Sequence, residues 1–468
     1  MFHARFLRAF LVSFSVTLLL SAFGCGGGSG PGSTTPPPTS KTTTQLKIGD
    51  AAVDRIISFE VSIASPITVT TSTGNLQITL GPNRLELSHM SAKMEPLTIV
   101  NAPQGTYTAA SLSINNPEVT FLDNNGIAHS IQSNASQVVN VTLSPPLTIG
   151  PTSSVVSIDV NAASAVSTDA SGNITGFNFT SASFSITAKA VTANNQEDDD
   201  GELEDVAGLV TSVSGNSFTM NVGQSGAQLT FTTDNTTQFS DGLTNVASTA
   251  NQIVKVEGAT KADGTLFASE VEGIENQNGA ELEGIVTAVT GNPASTLAVT
   301  AQDGTGSGMD ATKIGVAFLA DVSKTPQYKV DAGNVDTSGL GGIPGSPNFP
   351  FDATTIMAGQ RVEIESTTAV PAAGGSIVAD KVKLQQQALR GTVSNFAAGS
   401  GGAATFDLTL AADSYLTLLS GKSVVHVLQQ PGTDNNFGTI ANSSSVRVRG
   451  LLFWTGTTFN LIARRITQ

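Results

Sequence analysis

Gly208-Leu209-Val210-Thr211-Ser212-Val213-Ser214-Gly215 recurs as Gly284-Ile285-Val286-Thr287-Ala288-Val289-Thr290-Gly291, and a looser copy opens Gly391-Thr392-Val393-Ser394-Asn395-Phe396. Each opening has a matching close: Val254-Lys255-Val256-Glu257-Gly258, Val362-Glu363-Ile364-Glu365 and Val446-Arg447-Val448-Arg449-Gly450. A shorter tail follows each close, at Ala268 to Val271, Ala379 to Val382 and Ala463 to Ile466. Apolar and polar residues alternate in these stretches, which is the period of a half-buried strand. Recurrence in the same order marks an internal repeat. Roughly five or six short strands per copy suit a small closed barrel, because closure leaves no unpaired edge. The expected repeats span 206–276, 280–388 and 389–468. The second is longer, which places an insertion near 309–351, where the Gly/Pro-rich stretch Gly339 to Pro350 reads as an exposed loop.

Working outward, residues 46–192 also carry period two: Ile57, Phe59, Val61 and Ile63 alternate with Ser58, Glu60 and Ser62. Val139, Val141, Leu143 and Val156, Ile158, Val160 repeat the pattern, and turn signals such as Asp123-Asn124-Asn125-Gly126 separate the runs. An antiparallel β-sandwich is expected, with Tyr107 as a core or corner residue. Between this domain and the repeats lies 193–205, whose acidic run Glu197 to Glu202 reads as a solvated linker. Set on an EF-hand loop, the run lacks oxygen donors at the first and twelfth positions.

Two resemblances add to this reading. Asp50-Ala51, Val53-Asp54, Val61-Ser62-Ile63 and Pro103 with Gly105-Thr106-Tyr107-Thr108 resemble a bacterial surface domain of unknown function, DUF4382. The opening Gly-x-Val-x-x-Val, the mid-copy Phe231 to Thr236 and the Val-x-Val-x-Gly close resemble a second such family, DUF5666. The second resemblance implies OB-like barrels. Neither implies catalytic residues. The expected fold is all-β: an N-terminal antiparallel β-sandwich followed by three small OB-like barrel repeats, the third degenerate.

The sole cysteine is Cys25. One thiol excludes an intrachain disulfide, a CxxC redox site and a multi-cysteine zinc site. It follows Arg5, Arg8 and the apolar stretch Ala9 to Phe23, which is too short to span a bilayer. Ala22-Phe23-Gly24-Cys25 resembles the lipobox of bacterial lipoproteins, although the usual residue three before the cysteine is Leu. Residues 1–24 therefore read as a lipoprotein signal peptide, with Cys25 as the lipidation site. Residues 25–45, with Gly26 to Gly30 and Pro36 to Pro38, read as a tether. Gly26, rather than Asp, favours the outer membrane of a host with two membranes.

Lys and Arg total 22 against 37 Asp and Glu, a net charge of −15. That balance argues against nucleic acid as a partner, since phosphate binding needs clustered cations. Charged residues are only 13% of the chain and Gly numbers 47, a turn-rich β composition rather than a helical one. His89, His129 and His426 are far apart in sequence and read as solvated, so neither a metal nor a cofactor is expected. Ala398 to Gly402 lacks the strand-to-helix context of a nucleophile elbow, and Gly304 to Gly308 lacks the Lys of a phosphate loop. The aligned pairs Lys255/Glu257, Glu363/Glu365 and Arg447/Arg449 change sign between copies, so they read as solvent-facing rows and not a shared ligand surface. Trp454 with Arg464 and Arg465 is the candidate ligand patch. The expected function is a non-catalytic, lipid-anchored cell-envelope protein serving as a structural, adhesion or binding module. Its expected partners are the membrane, through the lipid anchor, and envelope glycans or surface proteins. A carbohydrate-binding surface lipoprotein is the alternative, and a carboxylate-based hydrolase the third.

Overall fold

Alternating sequence becomes strand throughout: the chain is 61% strand and 6% helical. The computed structural model describes residues 40–50, 55–71, 74–91, 93–192, 201–274, 279–333, 335 and 349–467. Residues 1–24, expected to be a signal peptide, Cys25, residues 197–200 and most of the stretch Gly339 to Pro350 lie outside them. Among the described residues no helix is long and apolar enough to cross a membrane.

Two larger sheets, with a two-stranded ribbon of Val166–Thr168 and Ile174–Phe177, build the N-terminal part. In the first, Lys41–Asp50 lies between Ser154–Val160, to which it is parallel, and Met94–Pro103, to which it is antiparallel. In the second, Ile56–Thr71 pairs with Gly105–Leu122, which also holds Ala128–Gln132 and Ser136–Ile149. Leu46, Ile48 and Ile158 from one sheet share a core with Ile63, Leu112 and Val141 from the other. Tyr107 is the expected corner: it is buried and its hydroxyl donates to the Pro103 carbonyl at 2.6 Å.

Two expectations change here. The tether was expected to run to residue 45, but Lys41–Asp50 is one strand with Thr42, Thr44 and Gln45 buried. Sandwiched between two partners, it uses its β-branched threonines as sheet residues. Ser58 and Glu60 were expected on a wet face, yet both are buried. The second repeat covers that face: Gln302 Nε2 donates to the Ile57 carbonyl at 2.6 Å and Thr120 Oγ1 to the Gly315 carbonyl at 3.0 Å.

The repeats share one strand plan. In the first, Glu202–Ser214 pairs with Ser217–Val222 and with Ile253–Thr260. Gln228–Thr232 and Gln238–Ser240 both run parallel to Leu266–Gly273. In the second, Ala317–Asp321 and Gln327–Val330 run parallel to Ser376–Val378 and Lys381–Leu384. The third is a closed five-stranded barrel of Gln386–Ala398, Ala404–Leu410, Val424–Asn435, Phe459–Thr467 and Ser445–Trp454. The expected insertion near 309–351 is thus misplaced, because two strands of the shared plan occupy part of it. The extra residues fall between Gly306 and Ala317 and between Val330 and Arg361. Val335 and Phe351 at the edges of that second stretch are buried in the second core.

The first repeat's core holds Val210, Val254 and Val256 as expected. The second core is continuous with Leu451, Phe453 and Ile462 of the third barrel. Residues Ser40–Gln468 accordingly pack as a single unit.

Candidate functional site at a buried charged junction

Strand alternation places Val254 and Val256 in the core of the first repeat and Lys255 on its outer face. In an isolated repeat Lys255 would be wet. Here the outer rows of the repeats face one another. Lys255 Nζ meets Glu281 at 3.2 Å, Glu283 at 3.3 Å and the fully buried Glu363. Arg361 holds Glu283 at 2.7 Å, and Lys383 holds Glu363 at 3.1 Å and Glu365 at 2.8 Å. Arg449 is 2% exposed and reaches Glu204 of the first repeat at 3.4 Å. The expectation of solvent-facing rows is therefore corrected for Lys255, Glu363, Glu365 and Arg449. Their sign changes are complementary: a cation in one copy answers an anion in another.

Burial opposes the charge on Lys255, but Glu281, Glu363 and Glu283 outweigh it and raise its pKa well above the ordinary value. Burial, reinforced by Asp205, lifts Glu257 to about 8. Burial also lifts Glu272 to about 8 and Glu281 to about 7, against the pull of Lys255. Such carboxyls keep protons in the folded chain that the unfolded chain, at its ordinary 4.5, has already released. Their stabilisation is complete below that value and is lost as pH rises through 7 to 8. Glu204 has the opposite sign: burial works against ionisation, but Arg449 and Arg465 outweigh it and hold the group at about 2. Its contribution is lost as pH falls from 4.5 toward 2. The melting temperature is expected to peak near about pH 5 and decline toward about pH 8. A melting temperature that climbs steadily across that interval contradicts this charge arrangement.

A second group lies where the N-terminal sheets meet the first two repeats. The turn Ser88–Met90 carries His89, which is 3% exposed. Its Nδ1 is 2.9 Å from Glu86 Oε2 and its Nε2 is 2.9 Å from Glu95 Oε1. Lys93 Nζ lies 3.3 Å from the same Glu95 oxygen. Burial opposes the imidazolium, but Glu95 and Glu86 outweigh it and raise His89 to about 9. The expectation of a solvated His89 is overturned. His129 is exposed and His426 partly exposed, and they pair with Asp123 and Asp407. Asp303 stands beside His89 and Glu95, and one donor atom from each falls within a common 4.8 Å. Burial, with Glu283 and Glu95 nearby, pushes the Asp303 carboxyl up. Glu95 and Asp303 line a cleft of about 440 Å³, together with Arg84, Gln224 and Gly304 to Gly306. Glu281, Glu363 and Glu365 form the other carboxylate group with donor atoms close enough to share an ion.

The candidate patch of Trp454, Arg464 and Arg465 does not assemble. Trp454 pairs with Phe459 at one end of the hairpin, with ring centroids 4.9 Å apart. Arg465 pairs with Arg449 toward the other end and is buried against Glu202 at 2.5 Å and Asp434 at 2.8 Å. Arg464 holds the other Glu202 oxygen at 2.9 Å. Glu202, expected in a solvated linker, is thus a buried anchor for the third barrel.

With this geometry in place, the comparisons with known proteins bear on the first repeat. Residues 207–272 match the family model described as Domain of unknown function (DUF5666). No curated protein matches the chain. The matched DUF5666 segment runs from the first strand of the first repeat into its last, and it contains both Lys255 and the cleft residue Gln224. Sequence reasoning missed Glu86, His89, Glu95 and Asp303. Glu86, His89, Lys93 and Glu95 are dense for a chain with 13% charged residues, and that was a readable signal. Asp303 had none, because only folding brings it near.

Proposed function

We propose that the protein is an exported, lipid-anchored, non-catalytic envelope protein whose body is a structural, adhesion or binding module. The observation that carries this reading is the sole thiol, Cys25, directly behind a basic and then apolar leader and ahead of a Gly/Pro/Ser/Thr stretch. In this reading an N-terminal β-sandwich resembling DUF4382 precedes three OB-like barrels. The charged junction supports the modular role, since paired ions there fix the repeats relative to one another. In a host with two membranes, Gly26 favours the outer one.

The test is cell fractionation with Cys25→Ser. The parent should sediment with membranes and carry lipid on Cys25 by mass spectrometry, whereas the variant should be released. Stable anchoring needs more than one acyl chain, so release should be nearly complete. Equal membrane retention of the two forms removes the proposal.

A further inference from the structure

We propose that His89, Glu95 and Asp303 form a binding site for a divalent transition-metal cation, opening on the cleft beside the first two repeats. One ligand atom from each residue falls within a common 4.8 Å, which a single ion can bridge. The histidine is already oriented for the task. Glu86 accepts backbone N–H bonds from Phe59 at 2.8 Å, Ser88 at 3.0 Å and His89 at 2.8 Å. Held in this way, it accepts the Nδ1–H of His89 and leaves Nε2 facing Glu95. A carboxylate behind the imidazole is the usual support of a metal-ligating histidine.

Asp303 supplies the independent observation. Its Oδ1 accepts from Gln224 Nε2 at 2.9 Å and from the Gly304 N–H at 2.8 Å. Among the described residues no lysine or arginine pairs with it and no hydrogen bond reaches its Oδ2. It lies beside His89 and Glu95 on the wall of a cleft of about 440 Å³. The cleft gives an ion an entry path and leaves coordination positions for water or a further ligand. The carboxylate group Glu281, Glu363 and Glu365 differs here, because Lys255, Lys381 and Lys383 already neutralise it.

The donor set selects the class of ion. Calcium and magnesium take oxygen shells, whereas one imidazole with two carboxylates suits zinc and its first-row neighbours. Two cations compete for the place: the proton on Nε2 and the Lys93 ammonium, which also touches Glu95. An incoming ion displaces the proton from Nε2 and competes with Lys93 for Glu95.

The test uses the metal-stripped full chain and Zn²⁺. One equivalent should be retained after dialysis, read by elemental analysis, with Ca²⁺ in excess failing to displace it. Asp303→Asn keeps an oxygen for Gln224 and Gly304 and should lower Zn²⁺ affinity by more than about tenfold. His129→Gln and His426→Gln, at the other two His–Asp pairs, should leave it unchanged. Absence of a retained equivalent, displacement by Ca²⁺, or retention in Asp303→Asn with loss in either histidine variant overturns the site. A second arm needs no variant. In ¹⁵N-histidine-labelled wild type, one equivalent of Zn²⁺ should shift the His89 ring resonances and leave His129 and His426 in place. The opposite pattern, or no shift, overturns the proposal even if Asp303→Asn does not fold.

Discussion

Lys255→Glu is expected to destabilise the folded chain by about 3–5 kcal/mol or more. The ammonium touches Glu281, Glu283 and Glu363, and Glu363 is fully buried. Its replacement by a carboxylate leaves those groups without their shared cation and adds a like charge among them. The folded state then has two costly options: burying the repulsion, or taking up protons at neutral pH. Lys255→Met separates the two contributions, since it removes the cation without adding an anion and should cost less. Denaturant midpoints of the three proteins, with the slope checked for two-state behaviour, provide the measurement. A surface lysine would cost no more than about half a kcal/mol. A loss of that size for Lys255→Glu would place the residue in solvent and dissolve the junction as described.

Gly450→Val should cost about 3 kcal/mol, the upper end for overpacking a closed site. A Cβ there would sit 1.9 Å from the Ile462 carbonyl oxygen, a backbone atom that moves only with its strand. The pairing of Ser445–Trp454 with Phe459–Thr467 shifts register between Arg449 and Gly450. A bulge of this kind bends the strand and re-aims the neighbouring side chain, and Arg449 is the one turned onto Glu204. The first repeat has the same device: the register shifts between Glu257 and Gly258, and a Cβ on Gly258 would lie 1.9 Å from the Phe267 carbonyl. In the second repeat Ser366 stands at that place, and Arg361–Ser366 pairs with Lys381–Leu384 without a shift. Gly150→Ala, which meets nothing within 4 Å, is the matched control and should melt with the parent. Equal melting of Gly450→Val and the parent would mean that the close approach relaxes freely.

How much was legible follows from what each signal measures. Alternation reports one strand and its two faces, so Val254 and Val256 were readable as core. The same reading placed Ser58, Glu60, Lys255 and Glu363 in water, because alternation cannot tell a face wetted by solvent from one covered by another domain. The repeat was legible because Gly-x-Val openings and Val-x-Val closes recur, and Tyr107 because a tyrosine two residues after Gly105 at a strand start fits a corner. Glu202 was misread because an acidic run is usually solvated, and its partners Arg464 and Arg465 lie more than two hundred residues downstream.

By itself the sequence determined the β class, the repeated strand plan with its paired glycines, and the placement of the only thiol behind an apolar stretch. These depend on local periodicity and on residue chemistry at fixed spacing, which a linear chain carries in full. Tertiary structure alone decided that Lys255 of the first repeat meets Glu363 of the second, that Arg449 docks on Glu204, and that Asp303 arrives beside His89 and Glu95. Those outcomes depend on how separate sheets dock, and the free energy of docking comes from contacts between residues far apart in the chain. Among the charges that read as separate wet surfaces, Lys255 and Glu363 pair directly across a buried junction, and Arg449 is buried against Glu204.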